Sequence, residues 1–353
     1  MKTLYFLAVD IGKSYMRTRV GSLYCGQARV VVDFPRERNS RSGFSVVKDF
    51  IGKATHKLKQ THGVSKVETV VLCLPGRISH DRRYCTLDYL GTDQWFDIGE
   101  ELAELNIDNC IALNDAEAGV LGIRHAALDS LFHLCGVSGQ SNSYSTILLV
   151  LPGSGLGVGI GLTDGLTMPS SAGELHLSVF ANRPEEVELF NYLVKGHLQR
   201  SYGAVVSARG IVNIIDYLTS KPDSAHHTDL CQLITSSNEV DRAEIISQIA
   251  LDRRPAPNPT DRELCYNAFA LFTRFLSRFS QNLSLILWPD AIYLGGSIIN
   301  GNIQIIKEEF PKQFQQHYRK AYFGSVPVFI STDNELNLTG AFQTAIKYYG
   351  SKL

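Results

Sequence analysis

An aspartate followed by a glycine turn near the start of the chain has the composition of a phosphate-binding site. Asp10 ends an apolar run that begins at Leu4, and the turn after it contains Gly12, Lys13 and Ser14. Backbone N–H groups in such a turn can face phosphate oxygens, and the carboxylate can hold Mg²⁺ through a water molecule. A hairpin turn with a solvated aspartate is the alternative that this segment alone leaves open.

Two further glycine turns follow apolar segments that are predicted to be strands. The first contains Gly153, Ser154 and Gly155. It is not a P-loop, because no Gly-Lys-Ser/Thr follows and the chain continues as a strand. The second contains Gly295 and Gly296, ahead of a predicted helix. Glycines let the backbone approach a phosphate or an adenine ring closely, but simple turns without a ligand remain the alternative at both places.

A carboxylate at a predicted strand end, Asp115, is the candidate general base. It follows Asn114 and precedes a helical pattern. A carboxylate that accepts the proton of a sugar hydroxyl makes that oxygen a better nucleophile toward phosphorus. Helix capping is the alternative role for the aspartate.

An acid and an imidazole, Glu174 and His176, stand close together in a polar segment after the second glycine turn. Side chains of these types can hydrogen-bond two hydroxyls of a sugar. A polar loop without a ligand is the alternative here.

The elements predicted to position these residues form two similar α/β halves. Each half begins with strand, turn and strand and continues with alternating helices and strands, which predicts mixed sheets. The glycine turns and the Asn114–Asp115 pair lie at strand ends, where ligands bind in such folds. Residues 128–144 are predicted to be a loop. We expect a small domain of residues 1–115 with the C-terminal helix at about 338–353, and a large domain of residues 116–337.

The overall composition argues against several classes of protein. The chain has 353 residues with 34 basic and 35 acidic side chains, so no field of one sign favours nucleic acid or a membrane surface. Its seven cysteines form no Cys-x-x-Cys pair, which argues against a disulfide framework and a structural zinc site. No run reaches the roughly 20 apolar residues that span a bilayer, and the first apolar run is too short for a signal peptide. We expect a cytoplasmic protein with reduced cysteines.

In this order, the segments resemble the ASKHA superfamily of kinases and, within it, the bacterial glucokinase family. The resemblance covers nearly the whole chain. The matching segments are Leu7–Gly12 and Leu151–Gly159 for the two phosphate motifs, Asn114–Asp115 for the catalytic pair, Phe180–Glu186 and Ser207–Asn213 after the sugar-binding loop, and Arg278–Leu283 and Ile292–Ser297 on the adenosine side.

The resemblance implies two actin-like (ribonuclease H-like) α/β domains with mixed sheets and an interdomain cleft. It implies ATP-dependent phosphorylation of a hexose, with glucose converted to glucose 6-phosphate, Asp115 as general base, and a homodimer. The implied sugar ligands are Asn114, Glu174 and His176. The implied ATP-binding residues are Asp10, Gly12, Lys13, Ser14, Gly153, Ser154, Gly155, Gly295 and Gly296, and Asp10 would hold Mg²⁺ through water.

Several positions depart from the pattern of the family. Lys13 and Tyr15 stand where the family has glycine and asparagine, although a lysine can contact a phosphate as a point charge. The imidazole of the sugar-binding loop has moved one position to His176, with Leu177 in its usual place, and Gly203 aligns with a second sugar-binding glutamate. An unmade hydrogen bond in such a pocket costs about 1–3 kcal/mol. A catalytically weak or inactive sugar-binding regulator of the same fold is therefore the alternative to an active kinase.

Overall fold

The computed structural model describes residues 2–40, 43–91, 93–137, 144–196, 198–221, 227–237 and 239–350. Its strands are β1 (Leu4–Ile11), β2 (Tyr15–Tyr24), β3 (Gln27–Arg38), β4 (Thr69–Leu74), β5 (Tyr84–Cys85), β6 (Phe96–Asp97), β7 (Asn109–Asn114), β8 (Leu131–Cys135), β9 (Ile147–Pro152), β10 (Leu156–Gly161), β11 (Thr167–Ser170), β12 (Ala291–Leu294) and β13 (Val328–Ser331). Its α-helices are α1 (Phe44–His62), α2 (Ile98–Glu101), α3 (Asp115–Arg124), α4 (Pro184–Lys195), α5 (Ala208–Thr219), α6 (Thr228–Thr235), α7 (Glu239–Ala250), α8 (Pro259–Leu287), α9 (Ser297–Gly301), α10 (Ile303–Phe314), α11 (Lys320–Ser325) and α12 (Leu336–Gly350).

The chain divides into two compact units. The first unit comprises Met1–Ala126, Gly159–Pro169 and Glu335–Leu353, and the second comprises Ala127–Val158 and Ser170–Asn334. Compared with the predicted domains, the first unit also takes in α3 and residues 159–169. The predicted C-terminal helix is α12, which begins at Leu336, and residues 351–353 lie outside the described part of the chain.

The first unit is built on a five-stranded mixed sheet with the order β3-β2-β1-β4-β7. Strands β1, β4 and β7 are parallel, and β2 is antiparallel to β1 and to β3. Asp10 lies opposite Cys73, and Leu74 lies opposite Asn114. The register therefore aligns the carboxyl ends of the three parallel strands at one edge of the sheet.

Both faces of this sheet are covered, so β1 and β4 are apolar on nearly every position. Leu7 and Val9 of β1 point into a core shared with α1, whereas Phe6 and Ala8 point into a core shared with α12. Strands buried on both faces read as continuous apolar runs rather than as alternating ones. The apolar run that begins at Leu4 in the sequence has this pattern.

Helices α3 and α12 pack unusually closely through glycines. A side-chain carbon placed on Gly340 would overlap the carbonyl oxygen of Ala118, and one on Gly122 would overlap that of Leu336. The two backbones are therefore in direct contact, which fixes the position of α3 within the first unit.

The second unit contains most of a six-stranded mixed sheet with the order β11-β10-β9-β12-β13-β8. Strands β9, β12 and β13 are parallel, and β8 runs antiparallel to β13. The long helix α8 buries Phe272, Phe275 and Phe279 at spacings of three and four residues. That spacing places the rings on one helical face against the core.

The predicted loop at 128–144 is wrong where β8 lies. Residues Leu131–Cys135 form the edge strand beside β13. A five-residue strand with a central histidine carries little periodic signal, and its partner follows about 200 residues later in the chain. Residues 138–143, at the end of the predicted loop, lie outside the described part of the chain.

No helix in the described ranges is long and apolar enough to cross a membrane.

Candidate functional site

The carboxylate of Asp10 lies at the carboxyl end of β1. The side-chain amide of Asn337, in the first turn of α12, donates a hydrogen bond of 3.4 Å to Asp10 Oδ1. Burial raises the pKa of Asp10, while the positive charge of Arg17 and the bond from Asn337 oppose that effect. The side chain is thus held in place by an element from the far end of the sequence.

The turn after Asp10 is a tight hairpin between β1 and β2. The Gly12 N–H donates to the Tyr15 carbonyl at 2.8 Å, and the Gly12 carbonyl accepts from Asn39 Nδ2 at 2.8 Å. The N–H of Gly12 thus closes the turn itself. The ring of Tyr15, a departure from the family's pattern, packs against the Arg36 guanidinium of β3 at 4.5 Å.

Asn114 caps α3. Its Oδ1 accepts from the backbone N–H groups of Ala116 and Glu117, at 3.0 and 3.3 Å, and its Nδ2 donates to the Gly76 carbonyl at 3.0 Å. Asn114 is therefore the N-cap residue, and Asp115 Oδ1 also accepts from the Ala116 N–H, at 2.8 Å. One amide hydrogen of Asn114 is not used in these bonds, because a carboxamide carries two.

Asp115 is the first residue of α3, and its side chain is partly exposed. Burial raises its pKa to about 7, with further upward contributions from the negative charges of Asp10 and Asp88. A carboxylate with a pKa near neutrality is suited to accept a proton during a reaction at physiological pH.

Three side chains that the sequence analysis did not identify surround the first turn of α3. Glu117 is buried and accepts from both terminal nitrogens of Arg82, at 2.5 and 2.6 Å, and from the Thr167 hydroxyl at 2.6 Å. The signal in the sequence is a single glutamate inside the otherwise apolar stretch of α3.

The Cys73 thiol lies in β4 beside Asp10. It donates to the backbone carbonyl of Asn337 at 3.4 Å. Burial raises the pKa of Cys73 well above its usual range, and the charges of Asp10 and Asp115 raise it further. The thiol therefore stays protonated.

In the second unit, two predicted glycine turns lie at neighbouring parallel strands. Gly153 follows β9, and its N–H donates to the Gly155 carbonyl at 2.8 Å. Gly296 follows β12 with a φ of +94°, which favours glycine, and a side-chain carbon there would lie 3.3 Å from the carbonyl of Pro152. The structure thus brings the predicted phosphate turn of residues 153–155 next to the predicted adenosine turn at Gly295–Gly296. Ser154 and Gly155 are exposed at the tip.

The predicted sugar-binding residues of the second unit are exposed. Glu174 ends a short 3₁₀ turn, and His176 pairs with Ser201 in an antiparallel bridge, while Leu177 packs into the core. A side-chain carbon on Gly203 would lie 3.7 Å from Glu174 Oε1. Gly203, which aligns with the second sugar-binding glutamate of the family, therefore lies beside Glu174.

Each unit assembles its own share of the predicted residues. The first unit gathers Asp10, the turn of residues 12–14, Asn114 and Asp115 at one sheet edge. The second gathers the turn of residues 153–155 and Gly295–Gly296 in one place and Glu174 with His176 in another.

Comparisons with known proteins identify the family of the chain. The glucokinase family model matches residues 7–347. A glucokinase from Nostoc punctiforme is 29% identical over 265 residues, which are 70% of this chain and 74% of that protein.

Among solved structures, a glucokinase from Balamuthia mandrillaris in complex with glucose superimposes with a TM-score of 0.79 at 22% identity, covering 97% of this chain and 94% of that one. A ROK family glucokinase from Streptomyces griseus in complex with glucose and AMPPNP gives a TM-score of 0.65 at 16% identity, covering 96% and 98%. Both confirm the predicted two-domain actin-like fold with mixed sheets. Because the family model spans nearly the whole sequence, the chain belongs to the glucokinase family of ATP-dependent hexose kinases.

Proposed function

We propose that this chain transfers the γ-phosphoryl group of ATP to the 6-hydroxyl of glucose, with Asp115 as the general base. The hydroxyl oxygen bonds to phosphorus while the bond to the β,γ-bridging oxygen breaks. ADP then leaves, and the hydroxyl proton passes to the Asp115 carboxylate. The observation that supports this most directly is the placement of a carboxylate with a pKa of about 7 at the first residue of α3.

Asn114 and the sheet beneath it orient the base. Because Asn114 caps the helix and is tied to Gly76, the residue next to it has little freedom to move. Its remaining amide hydrogen is available to a sugar hydroxyl. A base held ready in this way contributes about 10²–10⁴-fold to the rate.

For ATP, we propose that Lys13, Ser14, Ser154 and Gly155 contact the phosphates, since the N–H groups of Gly12 and Gly153 close their own turns. Gly295 and Gly296 would lie against the adenosine. Mg²⁺ would be held through water by Asp10, where it neutralises charge on the phosphates. Within the described ranges, no group of three or more His, Cys, Asp or Glu side chains is arranged so that it could hold a metal ion by itself. A single carboxylate fits Mg²⁺, which usually binds through one or two carboxylates together with the substrate phosphates.

For the sugar, we propose that Glu174 and His176 bind hydroxyls together with Asn114. Glu174 and His176 are exposed and able to reach a ligand. Because Gly203 stands where the family has a second sugar-binding glutamate, one hydrogen bond to the sugar is missing. The affinity for glucose should therefore be moderate.

We also propose that the protein is a cytoplasmic homodimer that acts at the entry of glycolysis. The free cysteines among the described residues and the use of ATP support a reducing, ATP-containing compartment. The dimer rests on the family resemblance.

The test is an ADP-coupled assay over glucose, other hexoses and amino sugars with wild-type protein and Asp115→Asn. We expect turnover with glucose, and a fall in kcat of about 10²-fold or more in the variant, since an amide cannot accept the proton. Asn191→Ala, at an exposed position of α4, serves as the matched control and should leave kcat unchanged.

Two results would contradict the proposal. One is the absence of turnover with every sugar, together with thermal stabilisation by one of them, which would indicate a binding protein. The other is an Asp115→Asn variant that keeps the wild-type kcat.

A further inference from the structure

The ion pair between Arg82 and Glu117 connects the two elements that meet at Asp115. Glu117 lies two residues after Asp115 in the first turn of α3. The Arg82 backbone carbonyl accepts from the N–H of Ala112 in β7 at 3.0 Å, while its guanidinium binds Glu117 in a fork. One residue thereby holds both the strand that leads into the base and the helix that begins with it.

The geometry of the pair is demanding. Glu117 is only 1% exposed and accepts three hydrogen bonds, two from Arg82 and one from the Thr167 hydroxyl. Bidentate pairs between a guanidinium and a carboxylate fix direction as well as distance. A glutamate at this helix position commonly turns back to cap its own helix, but here it reaches outward to another segment.

Arg82 also has a backbone conformation that is unfavourable for its type. Its φ of +64° lies in the left-handed region, which residues with a side chain rarely adopt. Such strain persists only where the surroundings determine it, and it occurs preferentially at functional sites. The contacts that hold it are the hydrogen bonds of Arg82 with Glu117 and Ala112, together with the bond from its own N–H to the Ser79 carbonyl at 3.0 Å.

We propose that Arg82 and Glu117, together with Thr167, are positioning residues that fix the first turn of α3 so that the Asp115 carboxylate meets the sugar hydroxyl. The proposal rests on the assignment of Asp115 as the base. A base displaced by about 1 Å loses on the order of 10² in rate even when substrates still bind. The pair therefore acts on kcat and leaves substrate affinity nearly unaffected.

The test compares Arg82→Met with Arg83→Met in steady-state kinetics. Arg83 is the matched control, because it lies in the same segment and pairs with Asp97 at the surface at 2.6 Å. We expect kcat of Arg82→Met to fall about 10²-fold with both KM values within about threefold of wild type. Arg82→Lys should recover part of the loss, since it restores the charge but not the fork. Arg83→Met should stay within about twofold, because the Arg83 guanidinium is 54% exposed and binds Asp97 of β6 rather than a residue of α3.

A second measurement separates positioning from simple loss of folded protein. Burial and the negative charges of Asp10 and Asp88 raise the pKa of Asp115, and the charged Arg82–Glu117 pair lies two residues further along the same helix. Glu117→Gln leaves the Arg82 charge uncompensated, which favours the ionised form of the base. The acidic limb of the pH profile of kcat/KM should therefore move to lower pH, which unfolding alone would not cause.

Several outcomes would overturn the inference. If Arg82→Met keeps kcat within about threefold of wild type while Asp115→Asn is inactive, the positioning role is contradicted and the proposed function is retained. An unchanged acidic limb of the pH profile of kcat/KM in Glu117→Gln would also contradict the positioning role. If Arg82→Met does not fold, Thr167→Val tests the inference instead. It removes only the hydroxyl that binds Glu117, and kcat should fall several-fold. An unchanged kcat in Thr167→Val would contradict the inference. A wild-type protein without any kinase activity would overturn both proposals.

Discussion

At the scale of single residues, the first unit concentrates negative charge around one carboxylate. Asp115 shares its sheet edge with Asp10 and Asp88, and burial together with their charges brings its pKa to about 7. The same environment that makes the side chain a usable base also makes its charge sensitive to conditions near neutrality.

A pH dependence follows from this pKa. The base must be unprotonated to accept a proton, so kcat/KM should rise with pH through about 7 and level off above it. A pH–rate profile, recorded with the coupling enzymes in excess, measures the acidic limb of kcat/KM. A limb near pH 4, the value of an ordinary aspartate, would contradict the burial argument.

The missing sugar contact can be restored at Gly203. The Gly203→Glu side chain would start 3.7 Å from Glu174 Oε1, in ordinary contact with its neighbours. One added hydrogen bond is worth about 1 kcal/mol, so KM for glucose should fall roughly 5-fold. Gly203→Ala, which adds no polar group, is the control, and equal KM values in the two variants would refute the prediction.

The residues found from the sequence share a property that the missed residues lack. Asp10 lies at the carboxyl end of the apolar strand β1 and Asp115 directly follows β7, so their place at a sheet edge is a local inference. Asn337 reaches Asp10 from 327 positions away in the sequence. Arg82 reaches Glu117 across 35 positions. These contacts depend on how the strands and helices assemble, which local pattern does not encode.

At the scale of elements, α3 begins with the proposed base and packs against α12. Their glycines at 122 and 340 allow backbone contact, as described above. Strands β1 and β4 were recognisable from their apolar runs, whereas the edge strand β8 was not. The pairing of α3 with α12 joins segments more than 200 residues apart, and the sequence of neither helix alone predicts that the two are in contact.

A methyl group in this helix contact should be poorly tolerated. Gly340→Ala would place a carbon against the carbonyl oxygen of Ala118. The expected loss of stability is about 1–3 kcal/mol or more, as for other overpacked sites. The midpoint of urea unfolding measures it.

The matched control is Gly324→Ala in α11. A side-chain carbon there would meet no atom within 4 Å, so stability should be unchanged or should rise by up to about 1 kcal/mol. Equal effects at residues 324 and 340 would argue against the close helix contact.

At the scale of the whole molecule, the chain is two α/β units with separate cores. The repeated strand–turn–strand pattern was visible in the sequence, and it predicted two halves of this kind. Their limits were harder to predict, because the first unit collects three separate stretches of chain. Membership in the glucokinase family accounts for the arrangement as a whole.

The separate cores predict separate effects of destabilising variants. In the second unit, buried Glu186 is paired with Arg278 at 2.6 and 2.9 Å. Arg278→Met removes two charge-assisted hydrogen bonds from that carboxylate and leaves Arg183, at 3.2 Å, as its remaining close cation, so the expected cost is about 1–3 kcal/mol. Scanning calorimetry should show Arg278→Met and Gly340→Ala lowering different components of the unfolding transition. A single transition that both variants shift equally would contradict this.

The protonated thiol beside the two aspartates has a consequence for how the protein meets oxidants. Peroxide and alkylating reagents attack thiolates, and the negative neighbours and burial of Cys73 suppress that form. The Cys73 thiol is therefore expected to react slowly with these reagents, although it lies beside the proposed base. Cys25 is exposed, so it offers a place for a fluorescent label remote from the sheet edge that carries the base.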